Sequence, residues 1–181
     1  WISQFDPYFE SQTCWKWQCC NKASNKILND SKAYTENNQK VIIAQSTNSD
    51  CSSFNATNDY DVGIKIVKTS IKKHQLPILV GVHCPTYNKT TLKWENNCSG
   101  NSPDETNHYV VIVGTGYDQD KNQEFFYFYE VGTSYPQKGQ SDENRLYIDE
   151  INKIVTGQTK YVNKTNYYTL IEVRRNIGKI Y

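Results

Sequence analysis

Residues 107–118, NHYVVIVGTGYD, restrict the fold more than any other stretch of the chain. Val110, Val111, Ile112 and Val113 are consecutive strand formers, whose branched or bulky side chains pack well on a pleated backbone. A short apolar run of this kind predicts a buried strand. Gly114 and Gly116 then release the chain into the polar turn Asp118–Gln123. Glu124–Val131 (EFFYFYEV) follows as an aromatic strand, and two strands joined by a short polar connection predict an antiparallel hairpin. His108 sits at the lip of the first strand. A rigid backbone there holds the ring while one edge faces a cleft, which is what a general base requires.

Around this hairpin the chain changes character once. Trp1–Tyr8 reads as extended and is interrupted at Asp6-Pro7, because proline disfavours helix at the residue before it. From Cys19 to about Leu28, Ala23, Ile27 and Leu28 share one side with lysines between them, predicting an amphipathic helix. A short helix near Lys32–Glu36, a strand or helix over Val41–Gln45 and a helix within Asp59–Lys73 follow. Ile78–Val82, introduced by Pro77, predicts a buried strand, and Thr86–Asp104 a long polar loop. Arg145–Ile148, Lys160–Val162 and Tyr167–Val173 are further strand candidates. A helical N-terminal part packed on a C-terminal antiparallel sheet is an α+β layout.

A chain of 181 residues fits a single domain, 1–181, with a core of its own. It lacks methionine altogether, so it is expected to be processed or excised from a longer polypeptide. A net charge of +1 with interspersed signs gives no footing for nucleic acid. No apolar run reaches the roughly 18 residues that a membrane helix needs. The six cysteines (Cys14, Cys19, Cys20, Cys51, Cys84 and Cys98) are compatible with an exported, partly disulfide-bonded protein. They contain no CxxC pair and the three histidines are scattered, so neither a metal nor another cofactor is expected.

A thiol becomes a useful nucleophile when a helix N-terminus or an imidazolium lowers its pKa. Cys19 and Cys20 both stand where the first helix is predicted to begin. His108 supplies the base for either one. Glu130 ends the aromatic strand, where hairpin pairing brings it back beside His108. A carboxylate there can accept a hydrogen bond from the ring, fix its tautomer and stabilise the imidazolium. His83, in VGVHCP, is the rival base if the strands pair differently. His74 and the cysteines at 14, 51, 84 and 98 are read as structural, with Cys84–Cys98 a plausible clip across the long loop.

At this point the order of residues resembles the papain-like cysteine peptidase and amidase superfamily, in its bacterial branches of double-glycine leader peptidases and NlpC-type cell-wall amidases. ISQFDP at Ile2–Pro7, CNKASNKIL at Cys20–Leu28 and HYVVIVGTGYD at His108–Asp118 carry the likeness. YEVGTS at Tyr129–Ser134 and NRLYIDE at Asn144–Glu150 also look like secreted papain-like domains of Bacteroidetes-type bacteria, some of which accompany contact-dependent or type VI toxin systems. The resemblance implies Cys20 as nucleophile, His108 as base, Glu130 as orienter and Gln4 as the oxyanion-hole donor, on an α+β papain-like fold. It also implies a peptide or peptidoglycan substrate, an immunity or inhibitor protein as partner, and secretion or delivery to the periplasm of a target cell. Transglutaminase-like acyl transfer and a binding module that has lost the chemistry are the rival classes.

Overall fold

The computed structural model describes residues 35–48, 51–88, 93–95, 106–131, 139–161 and 164–176. In chain order the elements are β1 (Thr35–Ile42), β2 (Ala44–Ser46), β3 (Phe54–Ala56) and α1 (Tyr60–Lys68), continued by a π-helical turn over Thr69–Lys73. Then come β4 (Ile78–His83), β5 (Thr86–Asn88), β6 (Lys93–Glu95), β7 (His108–Asp118), β8 (Gln123–Tyr129), β9 (Arg145–Asp149), β10 (Ile154–Tyr161) and β11 (Lys164–Asn176).

The main sheet runs β1-β11-β10-β9-β8-β7-β4, every pair antiparallel, and β4 also pairs with β11. That last pairing closes six strands into a barrel and leaves β1 as an extra strand. β11 makes both possible because of its 13 residues. Its first half pairs with β10 and its second half with β1 along the same edge, while β4 occupies the other edge.

The α+β papain-like layout expected above is therefore corrected. The described residues form a mostly β structure, a closed antiparallel barrel with an extra strand and a single short α-helix. The closure itself is the physical reason. An open sheet must bury its apolar face against another layer, such as helices or a second sheet, whereas a closed one buries its apolar side chains against each other. Val80, Val110, Ile112, Phe126, Phe128, Leu146 and Leu170 are buried together inside. The alternate residues Leu79, Val111, Val113 and Tyr129 form a second buried cluster on the outer side of β4, β7 and β8, as the two-residue period of a strand requires.

The hairpin read from 107–131 forms as β7 and β8, and Asp59–Lys73 is helical. The long loop after Cys84 contains the small hairpin β5–β6. Thr35 and Glu36 begin a strand rather than end a short helix, Val41–Gln45 takes the strand alternative as the end of β1 and most of β2, and β10 begins well before the predicted Lys160. The helix predicted from Cys19 lies outside the described residues.

α1 stops one end of the barrel. Tyr60, Ile64 and Val67 join the interior cluster, and Gly63 allows the close approach. A Cβ at that position would stand 2.2 Å from Ile43 Cγ2. Lys68 and Lys72 tie the helical segment to Glu124 at the start of β8, at 2.5 and 3.2 Å. Among the described residues, no helix is long and apolar enough to cross a membrane.

Candidate active site at the open end of the barrel

The other end of the barrel carries the polar residues. β7 begins at His108, opposite Val82 of β4. Strand alternation turns its ring to the inside with Val110 and Ile112. Val111 of β7 faces Tyr129 of β8, so the next residue, Glu130, falls beside Val110 and one side-chain repeat from His108. The two meet, with His108 Nε2 2.8 Å from Glu130 Oε1. Glu130 is wholly buried, and the His108 side chain is 15% exposed. A buried carboxylate accepts, so Nε2–H donates to it and any proton transfer by this ring falls to Nδ1.

Several hydrogen bonds hold the pair. Asn107 accepts from the Cys84 backbone N–H through Oδ1 and donates to the Cys84 carbonyl through Nδ2, each at 2.8 Å. Its own N–H donates to Val82 O. These bonds pin the residue before His108 to the end of β4. On the carboxylate side, Glu130 N–H donates to Gly139 O at 3.0 Å, and Asn144, itself buried, donates to the same carbonyl at 3.2 Å. Thr159 Oγ1 donates to Asn144 Oδ1 at 2.5 Å. The end of β8 is thereby fastened to the chain entering β9 and to β10.

Tyr168 of β11 completes the cluster. Its hydroxyl donates to Glu130 Oε2 at 2.5 Å. Its ring lies over the His108 ring, with centroids 5.7 Å apart and planes 22° apart. Asn166 Nδ2 reaches the same hydroxyl at 3.4 Å. Gly157 stands opposite Tyr168 on β10, and a Cβ there would lie 2.0 Å from the Arg145 carbonyl. No side chain fits between β9 and β10 at this level.

Of the four residues assigned from the sequence, the structure brings His108 and Glu130 together. Cys20 and Gln4 lie outside the described residues, as does Cys19. His83 points to the opposite side of β4, where it is buried against the Phe54 ring with centroids 5.3 Å apart. Cys98, the other half of the expected clip, lies outside the described residues, and Cys84 Sγ lies 3.5 Å from Pro85 O. Cys51 is disulfide-bonded, and its partner cysteine lies outside the described residues. Among the described residues, no three His, Cys, Asp or Glu side chains converge in a way that would hold a metal ion.

Sequence reasoning missed Tyr168, Asn166, Asn144 and Asn107. One signal was present. Asn166, Tyr168 and Leu170 alternate along a single strand, so the face that buries Leu170 also carries an amide and a phenol.

The chain matches no family model, no curated protein and no solved structure.

Proposed function

We propose that the chain is a cysteine hydrolase of amide bonds, with His108 as its acid–base group and Glu130 as the orienter. The observation that carries this reading is the 2.8 Å bond between His108 and a wholly buried Glu130 at the barrel end. An anion enclosed in this way favours the imidazolium and fixes which nitrogen works. Cys20 is the nucleophile in this reading. Its thiolate attacks the carbonyl carbon, and His108 passes a proton to the leaving amine. Water activated by His108 then hydrolyses the acyl-thioester. Gln4 donates to the oxyanion alongside the nucleophile's own backbone N–H. Nucleophile–base–orienter sets recur on unrelated folds, so the chemistry does not depend on the papain-like architecture corrected above.

The substrate is a peptide or a peptidoglycan cross-link, and the setting a secreted or delivered antibacterial effector. The resemblance of the sequence to bacterial cysteine amidases supports both. The disulfide at Cys51 also supports export, because such bonds persist in oxidising compartments.

The test is digestion of purified peptidoglycan and of casein, read as new amino termini. Cys20→Ala is expected to lose at least about a thousandfold in rate, and iodoacetamide to label Cys20 fastest. Full activity in Cys20→Ala would sink the assignment. The same disulfide gives one rival reading its footing: if peptide mapping joins Cys51 to Cys20 in the native protein and Cys19 does not react with iodoacetamide, the chain is a binding module without a nucleophile.

A further inference from the structure

We infer that Tyr168 is a positioning residue that keeps Glu130 ionised and thereby sets the proton affinity of His108. This rests on the general-base reading of His108 only for its effect on rate. Its effect on titration stands independently.

Burial by itself works against Glu130. A carboxylate removed from water tends to take up a proton, and a neutral Glu130 would no longer stabilise an imidazolium. Hydrogen bonds donated to the anion act in the opposite direction. His108 occupies Oε1 and Tyr168 occupies Oε2, so each oxygen has a donor.

The direction of the tyrosine proton follows from its neighbours. A carboxylate only accepts, which commits the O–H to Glu130. The Tyr168 oxygen is then left to accept from Asn166 Nδ2. Phe128 meets the Tyr168 ring edge-on, with centroids 5.7 Å apart and planes at 86°, and holds the ring in place over His108. Tyr168 therefore touches both members of the pair, the carboxylate through its oxygen and the imidazole through its face. The titratable groups facing Glu130 from the described elements are His108 on β7 and Tyr168 on β11. Asn144, Thr159 and Asn166 beside them are polar and uncharged.

Tyr168→Phe keeps the ring and removes the donor. The side-chain carbonyl 13C resonance of Glu130, followed against pH, is expected to titrate about one unit higher in this variant. In the assay on peptidoglycan or casein, kcat is expected to fall about tenfold with KM little changed, and the acid limb of the pH profile to move up with the carboxylate. Asn166→Ala should shift the same midpoint in the same direction by less, and it carries the test should Tyr168→Phe not fold. An unmoved Glu130 midpoint in a folded Tyr168→Phe protein, or in folded Asn166→Ala where Tyr168→Phe is unfolded, would overturn the inference. A shifted midpoint together with no new amino termini from either substrate in the wild-type protein would uphold the role of Tyr168 and reject the hydrolase reading, so the two can fail separately.

Discussion

Glu124 and Glu130 stand six residues apart on the face of β8 that turns toward the barrel interior, roughly 20 Å from one another by strand rise. Glu124, at the stoppered end, meets Lys68 and Lys72, and all three side chains remain partly in water. The Lys68 hydrogen bond holds its carboxyl below the usual range. Glu130, at the opposite end, is wholly buried against the ring of His108 and the hydroxyl of Tyr168. The difference is solvent. Where water reaches a carboxylate, nearby lysines add little and salt screens them. Where water is excluded, each donor is hard to replace. The same residue type on one strand face serves as a clamp at one end and as the partner of a part-buried imidazole at the other.

The comparison can be broken by substitution. Glu130→Ala is expected to cost about 3–5 kcal/mol in urea unfolding, since it strands buried donors. Glu130→Gln should keep more of the fold while lowering kcat by about 100- to 10,000-fold, because a neutral amide does not support the imidazolium and has only one oxygen for the two donors of His108 and Tyr168. Gly63→Val, at the stoppered end, should cost about 1–3 kcal/mol by forcing the helix away from Ile43. Glu124→Gln should cost less than about 1 kcal/mol and should cost still less in high salt. Because folding depresses the Glu124 carboxyl, its contribution is present above the unfolded value near pH 4. It is lost as pH falls through the lower folded value, so wild type and Glu124→Gln should converge in acid unfolding. Equal losses at Glu124 and Glu130 would mean that burial does not separate the two ends.

The hairpin, the Asp59–Lys73 helix and the meeting of His108 with Glu130 were legible because each depends on neighbours in sequence. A two-residue period and a short turn determine which residues face each other across β7 and β8. Barrel closure was not legible in the same way. It depends on β4 finding β11 across most of the described chain, and local alternation looks the same in an open sheet and a closed one. Tyr168 was missed for the same reason. Its strand was readable, but its position over the His108 ring follows from the long-range pairing.

The 13-residue length of β11 has a consequence for the order of assembly. The β7–β8 hairpin can form as soon as it leaves the ribosome, so His108 and Glu130 can meet early. The barrel cannot close, and Tyr168 cannot reach Glu130, until β11 has been synthesised and has captured partners on both edges. Long-range pairing of this kind is slow, and until it occurs the nascent chain carries an unshielded carboxylate and an unfinished site. Completion of the centre therefore waits on the same pairing that seals the fold.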